Sequence, residues 1–466
     1  MTDRVPSGLL VSGAIGAALT LGYLAYSRPW YFTSQTNLGA VLGLEILIVA
    51  VWLYRRVFFL VVVLSFLLAG SNLQYVTGWT RIRWVVLLTG AFVGLLIVLK
   101  DGGPRFQLFD LFAIFGVLGT FISASVSRYP TVALLKGFSM LLLFVYAGTG
   151  ARIAATERER RFVLGLVTGC EVLVGATALS YAVGHNAWGN PNSLGALMAF
   201  VSPLLLWGAL LGGRLSVQRR RLILYVLCVY LVFYSHSRAS IGAVLVSSGL
   251  LLLVLRKYKV AIEGTVVLVI VVSAVSIYRP DAAPSLASSV IYKNAATGIL
   301  TSRTSPWQEA VANISNNPWF GTGLGTTSNG YALAEGQGMF ASYSEVTTEH
   351  GSSYLAVLSG VGLVGALPFF VMLIILVVKI VRTVSWTWTS RISSHPAVPL
   401  AMLILAVILH AAFEDWMFAA GNYLCVFFWS VAFIFVDLAP KGASHYVSPS
   451  GTQLGQLGPT QATHPQ

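Results

Sequence analysis

A long succession of apolar runs constrains this chain more than any single motif. The runs fall near residues 8–26, 36–53, 57–70, 84–99, 108–127, 131–149, 162–183, 193–211, 222–235, 240–255, 260–278, 352–378, 398–413 and 421–437. About twenty apolar residues coiled as a helix cross the hydrocarbon of a bilayer, so the pattern predicts an all-α polytopic membrane protein with about 12–14 transmembrane helices. The runs 57–70 and 398–413 are short enough for tilted or re-entrant helices. Composition excludes a soluble globule: 56% of residues are hydrophobic and 10% charged, with a mean hydropathy of +0.78.

The polar breaks divide the chain into an N-terminal bundle over 1–278, a loop over 279–350, C-terminal helices over 351–438 and a tail over 439–466. No hydrophilic block is long enough for a separate catalytic domain, so a site has to be built from helix ends and loops. The tail, rich in Gly, Ser, Pro, Thr and Gln, reads as a disordered cytoplasmic end. The first run follows Arg4 without a small-residue cleavage site and is expected to be a retained helix. Cys170, Cys228 and Cys425 lie within apolar runs and read as small core residues.

Charge sets the expected orientation. With a cytoplasmic N-terminus, 20 of the 29 Lys and Arg residues fall on cytoplasmic ends, the bias of the positive-inside rule. The net charge of +13 is then mainly a topology signal, and nucleic acid is not an expected partner. Nine cations fall on the opposite, outer side without that explanation: Arg28, Arg81, Arg83, Arg128, Lys136, Arg238, Arg279, Lys293 and Arg303.

Within the loop, Ser305-Pro306-Trp307-Gln308 has a capping pattern with proline at the first helical position. Trp307, Ala310, Val311 and Ile314 then recur at helical spacing, predicting a short amphipathic helix over 305–315. Asn316-Asn317-Pro318 stops it. Trp319 to Gly325 follows as an aromatic anchor and flexible glycine turn, with no preceding strand to make it a nucleotide loop.

Two motifs carry the candidate chemistry. Ser237-Arg238 opens an apolar run almost without a connecting loop, so the guanidinium either snorkels to head groups or grips a pyrophosphate bidentately. Glu349-His350 precedes another apolar run; a helix N-terminus favours the neutral imidazole that a general base needs. Glu349 either orients the site or caps the helix. Lys136 lies inside an apolar run, where a charge faces a cavity or a partner. Asn190-Pro191-Asn192 is an ordinary helix start whose amides could also line a sugar-binding mouth. Phe413-Glu414-Asp415-Trp416 supplies acid at the outer end of another run. No metal-ligand spacing such as HExxH occurs, and no cofactor is expected.

In order along the chain, Asn190-Pro191-Asn192, Ser237-Arg238-Ala239-Ser240, Arg303 with Trp307-Gln308-Glu309-Ala310, Asn317 to Gly323, and His350 with Tyr354-Leu355 and Gly360 to Gly365 resemble the O-antigen ligase and polymerase superfamily over roughly 120–370. The resemblance implies a membrane enzyme of the bacterial inner membrane with both termini cytoplasmic. It implies a metal-independent, inverting transfer of a glycan from undecaprenyl pyrophosphate to an acceptor hydroxyl on the periplasmic face. The acceptor would be a lipid A core or a growing glycan. By motif, Arg238 would hold the pyrophosphate, His350 would be the base, and Arg303 would be a second phosphate or loop-anchoring residue. Where many members carry an arginine before Asn-Pro-Asn, this chain reads Val183-Gly184-His185-Asn186, so Lys136, Arg279 or Arg303 would supply the second cation. Gly351 stands where an asparagine is usual after the last histidine. Asn192 and Glu349 complete the substrate-binding candidates. The competing reading is a transporter or flippase of lipid-linked oligosaccharide, which would favour charges spread through several helices and symmetry between halves.

Overall fold

A computed structural model describes residues 35–72, 79–102, 104–211, 214–278, 301–326 and 351–440, with isolated positions between 19 and 27. The run near 8–26 and the tail beyond 440 therefore lie almost wholly outside the described residues. Every later apolar run is a helix: α1 Gln35–Leu53, α2 Phe58–Gly70, α3 Trp79–Asp101, α4 Leu108–Val126, α6 Glu159–Ala182, α7 Pro191–Leu210, α8 Leu215–Tyr234, α9 Arg238–Val254 and α10 Tyr258–Tyr278. Between α4 and α6, α5 begins at Pro130 and continues through a π turn at Ala147–Ala151 to Ala155. α11 is the loop helix, Thr301–Asn316, followed by α12 Ser353–Ser390, α13 Ala397–Ala411 and α14 Tyr423–Leu438. Among the described residues, six helices are individually long and apolar enough to cross a membrane. The protein is an all-α polytopic membrane protein.

Short links force neighbouring helices to alternate in direction, and contacts between links confirm two opposed ends. At one end Arg56 meets Glu157 at 3.5 Å, Trp207 Nε1 donates to Ser393 O at 2.9 Å, and Lys379 Nζ donates to Val436 O at 2.8 Å. Arg152, buried there, binds Asp110 at 2.8 Å and Asp437 at 3.1 Å, tying the ends of α4, α5 and α14. A buried charge needs such partners in both directions. At the other end Asn72 N donates to Ala187 O at 2.7 Å and Arg83 Nη1 to Gly421 O at 2.9 Å.

α7, α13 and α14 are buried along nearly their whole length. α7 packs on α8, α9 and α13, while α14 packs on the π turn of α5. Helices short for a bilayer, α13 and α14 among them, can serve here because protein rather than lipid surrounds them. Cys170, Cys228 and Cys425 are all free and buried, as expected of small core residues.

α11 starts at Thr301 rather than beside Ser305, so Pro306 lies inside the helix. One extra turn forms before the proline, at the cost of the single amide bond that Pro306 cannot donate. Trp319 to Gly325 is a fitted segment and not a free turn. α12 breaks at Gly362 (φ 66°, ψ −176°), and the segment pairs with the break. Thr322 N donates to Ser359 O at 3.0 Å, Gly323 N to Gly360 O at 2.7 Å, Leu363 N to Pro318 O at 2.8 Å and Val364 N to Trp319 O at 3.1 Å. Backbone groups released by the break are thereby satisfied inside the protein, as membrane burial demands. Ser123 and Ser127 of the α4 end add bonds to Gly360 O and Thr322 O.

Candidate functional site

The link between α13 and α14, residues 412–422, joins the sequence candidates. Its first acid, Glu414, accepts from Asn192 Nδ2 at 3.1 Å. Asn192 is fixed in turn because Asn190 caps α7, its Oδ1 accepting from Asn192 N at 2.8 Å, with Pro191 at the first helical position. The backbone carbonyl of Glu414 accepts from Ser353 N at 3.0 Å and Ser353 Oγ at 2.6 Å. Ser353 Oγ also accepts from the amides of Trp416 and Met417 at 3.2 and 3.1 Å. The start of α12 is therefore stitched to the link. Trp307 of α11 donates from Nε1 to Gly351 O at 3.2 Å, which draws the loop helix over the same end.

Asp415, the second acid of the link, has a cationic neighbour. Lys136, in the second turn of α5, lies within electrostatic reach of Arg83 and Asp415. Its aliphatic stem supports Gly325, where a Cβ would come within 3.2 Å of Lys136 Cγ. Arg83 is held by Gly421 O and by the rings of Phe66 and Trp84, 5.6 and 5.5 Å from the guanidinium carbon. Such stacking keeps a partly buried guanidinium in one orientation.

Arg238 is the first residue of α9, half-buried beside the start of α7. The close approach of α9 depends on Gly195: a Cβ there would lie 2.7 Å from Ser240 Oγ and 2.9 Å from Ser237 Cβ. His236, with φ 51°, turns the chain between α8 and α9. Arg238, Asn192 and Lys136 are thus placed around one end of the bundle. Arg303 lies on α11 but its side chain is outside the described residues, as are Arg279, Glu349 and His350 altogether.

Two groups at this end were not singled out from sequence as site residues. Arg83 is one. The other is His410, buried near the end of α13, where it contacts Ser240 and Trp416. A lone histidine in the run 398–413 was the available signal, since a polar ring within a membrane helix needs a partner. Among the described residues no three His, Cys, Asp or Glu side chains converge as metal ligands. A cavity of about 240 Å³ lies at the opposite end, lined by Arg105, Gln107, Arg152, Glu159 and Asp437 among others. Its one buried cation, Arg152, is already engaged by two carboxylates.

Residues 223–370 match the family model described as O-antigen ligase. Over that segment the chain is similar to O-antigen ligases, which supports the O-antigen ligase and polymerase superfamily. The matched segment runs from α8 through Arg238 and α11 to just beyond the break of α12. Lys136, Asn192 and the 412–422 link lie outside it and are joined to it by the contacts above. The matched family is one of enzymes that join glycans, and it suggests lipid-linked glycan substrates. No curated protein matches the chain.

Proposed function

We propose that this protein is an inverting, metal-independent membrane glycosyltransferase. It moves a glycan from undecaprenyl pyrophosphate to an acceptor hydroxyl at the periplasmic face of the inner membrane. The observation that supports the reading is that Asn192 bonds Glu414 and that Arg83 and Asp415 lie within electrostatic reach of Lys136, at the end of the bundle where Arg238 begins α9. Cations at the end of a lipid-facing bundle suit a donor whose pyrophosphate sits at head-group depth while its polyprenyl tail stays in hydrocarbon. The strongly basic opposite end suits the cytoplasm, which supports a periplasmic position for this end and cytoplasmic termini.

In the proposed step the acceptor oxygen attacks the anomeric carbon as its bond to the pyrophosphate oxygen breaks, inverting that centre. The hydroxyl proton passes to His350, next in sequence to the anchored Gly351. Arg238, with Lys136, Arg279 or Arg303 as second cation, holds the charge that gathers on the departing lipid pyrophosphate. Asn192 and Glu349 bind sugar hydroxyls. Lipid pyrophosphate is a good leaving group, so a base and a cationic clamp suffice. α11, tethered through Trp307, covers the sugars and limits hydrolysis.

The test is product formation by purified, reconstituted protein given an undecaprenyl-pyrophosphate oligosaccharide and lipid A core, glycan or protein acceptors, with chelator present. Transfer by the wild type and its loss in folded His350→Ala is the expected result. Donor flipping without transfer to any acceptor would instead favour a transporter.

A further inference from the structure

Four buried polar side chains form one hydrogen-bonded chain at the foot of Arg238. Trp416 Nε1 donates to His410 Nδ1 at 3.2 Å. His410 Nε2 meets Ser240 Oγ at 3.1 Å, and Ser240 Oγ donates to Ser237 Oγ at 2.8 Å. None of the four is more than 6% exposed. The indole fixes the direction of the whole chain, because its N–H only donates. A ring nitrogen accepting from it carries no proton, so the neutral imidazole holds its proton on Nε2 and donates to Ser240. Ser240 in turn donates its own hydroxyl hydrogen bond to Ser237.

The chain ends on the residue that begins α9. An N-cap serine ordinarily accepts from the amide of the second or third helical residue. Ser237 makes no such bond; its oxygen is turned to the Ser240 hydroxyl instead. At the same end of the bundle, the N-caps Asn190 and Asn422 do bond their own helices, at 2.8 Å each. The Ser237 side chain thus caps none of the first-turn amides of α9, next to the Arg238 guanidinium. Amides not taken by the N-cap, the helix dipole and the guanidinium all favour the same anion.

We propose that His410 is a positioning residue for the phosphate-binding end of α9. Held by Trp416, it directs Ser240 onto Ser237 and keeps the N-cap hydroxyl off the amides that receive the donor's pyrophosphate together with Arg238. The inference rests on the reading of Arg238 given above. A purely structural role would need only that each buried polar atom be satisfied; this role also needs the hydrogen bonds to run in one direction.

The test uses the full-length purified protein and inorganic pyrophosphate as probe, with binding measured by calorimetry for wild type, Arg238→Ala, His410→Gln and His410→Phe. Glutamine can accept from Trp416 through Oε1 and donate to Ser240 through Nε2, so its affinity is expected to match wild type. Phenylalanine removes both bonds and should weaken binding about tenfold or more. Undiminished binding in His410→Phe, with Arg238→Ala defective, overturns the inference alone. Undiminished binding in Arg238→Ala, or none in wild type, overturns the reading of Arg238 and the inference with it. Histidine labelled with ¹⁵N in the wild-type protein in bilayers gives an independent check that does not depend on a variant folding. The neutral Nε2–H tautomer is expected at position 410, and an Nδ1–H tautomer or an imidazolium would overturn the proposal.

Discussion

Replacing Gly362 with alanine tests how the break in α12 is made. The residue adopts φ 66° and ψ −176°, a region essentially reserved for glycine and costing other residues about 1–3 kcal/mol. A Cβ there would also run into the backbone of Trp319 and Phe320, which cannot swing aside as a side-chain tip can. Relief requires the 318–326 segment to lift away, losing the bonds from Leu363 N to Pro318 O and Val364 N to Trp319 O, each worth about 1 kcal/mol. The expected loss is about 3–5 kcal/mol in all. Thermal unfolding in detergent, followed by tryptophan fluorescence, measures it. Gly175→Ala is the control: its Cβ would meet nothing within 4 Å in α6, and it should be neutral or gain about 0.5–1 kcal/mol. Gly362→Ala unfolding at the wild-type temperature would refute the account of the break.

Other expectations follow from the same geometry. Arg238→Lys keeps the charge but loses the planar fork, so transfer should fall about 100-fold or more; activity near wild type would rule out an essential bidentate contact. Membrane-impermeant thiol reagent added from the periplasm should label His185→Cys, in the exposed link before α7, and miss Ser216→Cys at the opposite end. The reverse pattern would invert the proposed orientation. Burial lowers the His395 imidazole to about 4, and its Nδ1 accepts from Ala397 N at 3.2 Å. Between there and the ordinary value of about 6.5 the unfolded chain binds a proton that the folded chain does not. Its stabilising contribution is full above about pH 6.5 and is lost as pH falls towards about 4. Unfolding temperatures measured across that window should fall less in His395→Asn than in wild type.

Which features were legible in the sequence follows from the range of the forces involved. Most helices could be read because a long apolar run answers to the bilayer alone. The starts of α5 and α7 could be read because Pro130 and Asn190-Pro191 act on the next few amides. Gly360 to Gly365 stood out as a motif, and the structure breaks α12 among those glycines, at Gly362. What fills that break was not visible: Trp319 to Gly325 looked like a flexible turn because its partners, Ser359 to Val364, lie about forty residues further along the chain. The capping pattern at Ser305-Pro306 misplaced the start of α11 by about a turn, since a preceding turn can form wherever one lost amide bond is affordable.

Sequence by itself determined the class of protein, the alternation of its helices, the asymmetry of basic charge between the two ends and the motifs of the superfamily. All of these are set by hydropathy, by neighbouring residues or by short spacings. Only the tertiary structure decided that Glu414 holds Asn192, that Asp415 lies within electrostatic reach of Lys136, that Arg83 reaches Gly421, and that His410 reaches Ser240. Those pairings connect residues from 170 to more than 300 positions apart. A polar group inside a membrane must find a partner, but composition and spacing do not say which; packing of the helices does.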